Sequence, residues 1–98
     1  MKHKNVRATI LDGAAEAVNV TRNVSYGEPE NNFANIARLI NAHLIARFGA
    51  DAPTLSNGDV AIIGIAFKLG RLGGNMSHMD SWMDVAGYAA CGAEMESV

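Results

Sequence analysis

Apolar residues recur at helical spacing through most of this chain, and the breaks between the periodic stretches carry cap and turn chemistry. Over residues 4–24, Val6, Ile10, Ala14, Ala17 and Val18 line one side while Lys4, Arg7, Glu16 and Arg22 fall elsewhere, which predicts a first helix. The stretch SYGEPENN follows, a loop with Asn31 or Asn32 as the N-cap of the next helix. That helix is predicted from about Phe33 to Phe48, with Phe33, Ile36, Ala37, Ile40, Leu44 and Phe48 as its buried stripe.

GADAPTLSNGD is the second break. Ser56 with Asp59 three residues on forms a capping box in which Asp replaces the usual Glu or Gln, so a third helix is expected near Asn57. Val60, Ile62, Ile63, Ile65, Ala66, Phe67 and Leu69 are apolar on nearly every side, which predicts a central helix touching neighbours on most faces. VAIIGIAF also fits a buried strand by periodicity, but the cap before it and KLGRL after it favour the helix. GGNMSH is expected to close it with left-handed glycines, and Ser77 with Asp80 repeats the cap pattern for a fourth helix. That last helix carries Ala86, Gly87, Ala89, Ala90, Gly92 and Ala93, small residues that let another backbone come close.

The expectation is an all-α fold, a compact bundle of four main helices forming one domain over residues 1–98. At 98 residues with 49% apolar and 18% charged side chains, the composition excludes a disordered chain. The core is small enough that completion by oligomerisation is expected. No internal repeat, low-complexity tract or dividing linker interrupts the sequence.

Charge narrows the partners. A net charge of −2 and a pI near 5.8 leave no basic field to draw the chain onto a nucleic-acid polymer or an anionic membrane. The longest apolar runs fall well short of the roughly 20 residues a membrane span requires. The single Cys91 cannot form an intramolecular bridge and no leader-like segment opens the sequence, so the expected home is a reducing cytoplasm.

Candidate chemistry gathers at the third break. Asp80 and Asp84 stand four apart on one face of the fourth helix, where their repulsion calls for a helix N-terminus, a hard cation such as Mg²⁺, or basic partners. Lys68 and Arg71 share a face at the end of the third helix and are suited to phosphate. The plain alternative is that these four charges pair with one another or complement their helix ends. Asp12 and Glu16 form a second acidic pair on the first helix, read as a surface pair, with Glu16 the acid available as a further metal ligand.

The first loop adds Arg22 as a phosphate-binding candidate, with Tyr26 and Asn32 able to hold a base and its sugar. Phe33 reads more simply as a staple under that loop. His78 beside a cap and Trp82 at helical spacing are read as capping and packing residues, and Cys91 as a buried thiol. The spacings of a zinc site or a nucleophile triad do not occur, and no catalytic residue is assigned.

Arg22, Tyr26, Gly27, Pro29, Asn32 and Phe33 spell R-x-x-x-YG-x-P-x-x-NF, and K-x-x-R-L and H-x-D-S-x-x-D-x-A-GYA follow. This pattern, over roughly Ile10 to Glu94, resembles a family of small bacteriophage and prophage proteins. That family is in turn similar to the all-α nucleoside-triphosphate pyrophosphohydrolases, the MazG-like group. The resemblance implies an oligomeric helical bundle in the host cytoplasm that binds Mg²⁺ through carboxylates and cleaves a nucleotide between its α and β phosphates. Asp80 and Asp84 match the acidic pair of the later metal-binding helix, which leaves Lys68 and Arg71 facing phosphate. The group's E-E-x-x-E signature on the preceding helix is missing, and Lys68 and Arg71 stand roughly in its place.

Two functions follow as expectations: a Mg²⁺-dependent nucleotide pyrophosphohydrolase, or a non-catalytic module that binds or sequesters a nucleotide on the same scaffold. A third reading makes the four charges a structural clasp within an interaction protein.

Overall fold

The computed structural model describes residues 5–21 and 29–97, and these residues form four α-helices with no strand among them. Helix α1 spans Val6–Glu16 and runs on as a π-helical turn over Ala17–Thr21. Helix α2 spans Pro29–Phe48, α3 spans Asn57–Gly74 and α4 spans Met79–Glu96.

Each boundary has a local cause. Asn5 caps α1 through its Oδ1, which accepts from the N–H of Ala8 at 2.8 Å. Helix α2 begins before the predicted Asn31 or Asn32 cap, because Pro29 suits a first helical position: its fixed φ is helical and its missing N–H is not needed there. The same helix ends at Gly49, whose φ of 99° suits a residue without Cβ. The Ser56–Asp59 capping box is formed as predicted, with the Ser56 N–H donating to Asp59 at 2.8 Å.

The third break corrects two expectations. Gly73 and Gly74 stay helical instead of turning left-handed, and Asn75 closes α3 in an extended conformation, its N–H shared between the carbonyls of Arg71 and Leu72. The N-cap of α4 is His78, not Ser77. Ser77 is drawn into a turn by the side chain of Asn75, which accepts its N–H at 3.1 Å, so the next residue takes the cap.

Helices α3 and α4 form the most extensive contact, with α1 against α4 and α2 against α3. The core joins Phe33 and Ala37 of α2, Val60 and Ala61 of α3, and Cys91 of α4, with Val18, Ile36, Tyr88 and Met95 packed around them. The small residues of α4 act here: a Cβ added at Gly92 would lie 2.7 Å from that of Ala61, so the two helices approach closely. Asn41 ties α2 to the segment before α3, donating to the Leu55 carbonyl at 3.1 Å and accepting its N–H at 2.7 Å.

Two packing expectations change. Phe48 is 65% exposed beneath the Arg47 guanidinium and lies outside the core. Helix α3 is not covered on most faces, since α2 and α4 both lie on the side of Val60, Ala61 and Gly64, leaving Ile62 and Phe67 64% and 76% exposed.

Candidate functional site

The side of α3 that faces α4 carries a charge. Lys68 follows Ala61 by seven residues and Gly64 by four, so it shares their inward side, and its Nζ lies 2.9 Å from Oδ2 of Asp84 on α4. The Lys68 side chain is more sheltered than that of Asp84, with its stem along the apolar contact and its ammonium at the rim.

This pair opens on a pocket of about 250 Å³ whose lining includes Val18, Phe33, Tyr88 and Cys91. Gly87, Tyr88 and Cys91 stand three, four and seven residues after Asp84, along one face of α4. Phe33, fully buried, backs Tyr88 with ring centres 5.9 Å apart and planes tilted by 37°. Gly87 leaves room for Val18, whose Cγ1 would sit 3.4 Å from a Cβ added there. The arrangement presents an apolar recess, one aromatic ring with a hydroxyl, and a cation and an anion side by side at its mouth.

The other predicted residues are placed apart from this pocket or outside the described residues. Arg71, in the last turn of α3, and Asp80, in the first turn of α4, are both exposed, and no ion pair joins them among the described residues. Each complements the dipole of its own helix, as the plain reading of their positions predicts. Glu16 is exposed at the end of α1, and Asn32 is half-buried within α2 and absent from the pocket lining. Arg22 and Tyr26 lie outside the described residues.

His78 is a capping residue: its Nδ1 accepts the Ser81 N–H at 3.2 Å and lies 2.8 Å from the buried Ser81 hydroxyl. Trp82 donates its indole N–H to the Met76 carbonyl at 2.8 Å and so braces the α3–α4 turn.

The Mg²⁺ that the resemblance implies would have Asp80 and Asp84 as its carboxylates and would take its other ligands from water and phosphate rather than from the described residues. They contain no group of three or more His, Cys, Asp or Glu side chains that could hold a metal ion, and an oxygen of Asp84 is already engaged by Lys68.

Sequence reasoning found Lys68 and Asp84 but not the pocket they open on. Tyr88 and Cys91 stand four and seven residues after Asp84, and that spacing was the available signal. Val18 carried none, because its place depends on how α1 lies against α4.

Two curated relatives are phage proteins. The chain is 37% identical over 83 residues to the Gene 55 protein of Mycobacterium phage D29, covering 85% of this chain and 50% of that protein. It is 33% identical over 88 residues to the Gene 55 protein of Mycobacterium phage L5, covering 90% and 53% respectively. The chain therefore spans about half the length of these relatives. No solved structure matches it. Residues 9–96 match the family described as a domain of unknown function (DUF6378), and the chain belongs to that family.

Proposed function

We propose that this chain is a non-catalytic small-molecule-binding module for a nucleotide-type ligand, seated at the Lys68–Asp84 rim. The observation that carries the reading is the ion pair itself, a cation held at the mouth of a recess that also presents Tyr88. A recess of about 250 Å³ suits a base or a sugar rather than a whole triphosphate. The phosphates would lie outside it, drawing Lys68 away from Asp84 and reaching the exposed Arg71, one helical turn further on.

Mg²⁺-dependent pyrophosphohydrolysis on a MazG-like bundle is the second reading. It is favoured by Asp80 and Asp84 standing on one face of α4, and weakened by the want of further acids beside them among the described residues.

One assay separates the readings. The purified chain is incubated with a panel of nucleoside mono-, di- and triphosphates with and without Mg²⁺, and both retained ligand and released pyrophosphate are followed. Binding predicts metal-independent retention, lost in Lys68→Ala, with no pyrophosphate. Pyrophosphate release that depends on Mg²⁺ and on Asp84 would establish the enzyme instead. Retention of no nucleotide at all would leave the charges as a clasp between helices.

A further inference from the structure

Helices α1 and α4 run side by side in the same direction: Gly13 lies against the Met83 side chain, and further along both helices Val18 faces Gly87. At Gly13 the missing Cβ makes the room that Met83 fills. Nearer the N-termini the facing residues are the larger Val6, Ile10, Met79 and Trp82, and a groove of about 500 Å³ opens between the helices. That volume falls within the roughly 300–1,000 Å³ of small-molecule sites. Val6, Leu11, Met79 and Trp82 are exposed along it.

The polar chemistry of this groove comes from one side chain. The indole N–H of Trp82 is spent on the Met76 carbonyl at 2.8 Å, so the ring has no hydrogen bond left to offer. Arg7 is the one charged residue in the lining, and no hydrogen bond or ion pair engages its guanidinium among the described residues. An occupant rich in hydroxyl or amide groups would leave them unpaired against hydrocarbon, which disfavours a sugar or a base here. Asn5, Thr9 and Asp12 on α1 and Asp80 on α4 are exposed outside the lining and bound the apolar area. The two carboxylates among them repel a polyanion, whereas a single negative charge is matched by Arg7 and by the positive ends of two parallel helices.

We infer that the groove holds a small hydrocarbon acid in its ionised form. The chain lies along Val6, Ile10 and Met79 against the Trp82 ring, and the carboxylate is gripped by the two-pronged guanidinium of Arg7. The groove shares no lining residue with the recess of Lys68, so this inference is independent of the nucleotide proposed for that recess.

Trp82 is the single tryptophan of the chain, so its fluorescence reports on this groove. The test titrates the whole chain with decanoate, decanol and decylamine, each below its micelle concentration. Decanoate is expected to change the emission saturably, with decanol about tenfold weaker and decylamine weaker still. Arg7→Gln, at an exposed position, should keep the helical signal, bring decanoate down to the affinity of decanol and leave decanol unchanged. Leu11→Gln, also exposed, should weaken decanoate and decanol alike. Lys68→Ala should leave decanoate binding intact, and adenosine monophosphate should not displace it, which separates the groove from the recess. Equal affinity for decanoate and decylamine, an unchanged affinity in Arg7→Gln, or displacement by the nucleotide would overturn the inference. An emission unmoved by all three probes would also overturn it and leave the groove to a protein partner.

Discussion

Lys68 and Asp84 meet at 2.9 Å although their helices run in opposite directions from the short turn over residues 75–78, and the contact sits on the rim of a recess rather than on open surface. Both side chains keep partial access to water, so the pair itself contributes little to stability, under about 1 kcal/mol. Its consequence is positional, since it fixes where a cation stands relative to Tyr88.

That position gives the two charges opposite roles in binding. Lys68→Ala should abolish retention of an anionic ligand, whereas Asp84→Asn should preserve or raise it, because the carboxylate competes with phosphate for the same ammonium. Exchanging the two, Lys68→Asp with Asp84→Lys, should keep the melting temperature within a few degrees and still lose the ligand. Equilibrium dialysis and thermal melts on the three variants check this. Loss of all nucleotide turnover in Asp84→Asn, with turnover present in the parent, would instead assign that carboxylate to hydrolysis.

A second cross-helix contact joins the end of α4 to the start of α3. Oε2 of Glu96 accepts from the Ser56 hydroxyl and from the Gly58 N–H, both at 2.9 Å, placing a carboxylate on the positive end of α3. Glu96→Ala should cost about 0.5–1 kcal/mol. Gly58→Ala is the more telling change, because its Cβ would collide with the Glu96 side chain. Alanine there should destabilise the parent and be tolerated, or help, once Glu96 is alanine. A double-mutant cycle read by urea unfolding measures that sign change.

Phe33 anchors α2 to the rest, with no exposed surface, and Phe33→Ala should cost about 3–5 kcal/mol. For a domain of this size that is a large share of the total stability, so the variant is expected to be largely unfolded at 37 °C by circular dichroism.

Legibility in the sequence followed the range of the interaction. The Ser56–Asp59 box was readable because both partners lie within one helical turn, and Lys68 with Asp84 because regular spacing and a short turn bring them to one rim. The cap pattern puts the start of α4 one residue early, because Ser77 has a competitor, Asn75, that no cap pattern includes. The apolar run of α3 predicts neighbours on most faces and meets them on one side, since hydrophobicity states that a face wants a neighbour and not whether this chain supplies it. Tyr88 was visible only as part of a motif, because the recess it lines exists through Val18 and Phe33, on helices far away in sequence.

Gly64 decides how closely α3 approaches Tyr88, and substituting it sets two effects against each other. In a mid-helix position alanine is favoured over glycine by about 1 kcal/mol. A Cβ at Gly64 would lie 2.7–2.9 Å from three atoms of the Tyr88 ring, too near for contact, and a rigid ring backed by Phe33 cannot swing aside as a flexible chain end would. Overpacking of this kind costs about 1–3 kcal/mol, so the clash outweighs the propensity gain. Gly64→Ala should therefore lower the melting temperature and, by displacing Tyr88, weaken any ligand held in the recess. Removing the ring leaves only the propensity term, so Gly64→Ala made in a Tyr88→Ala background should be neutral or stabilising by up to about 1 kcal/mol. Thermal melts of the four proteins in this cycle test the contact. Equal destabilisation by Gly64→Ala with and without the ring would show that Tyr88 does not set the spacing of α3 and α4.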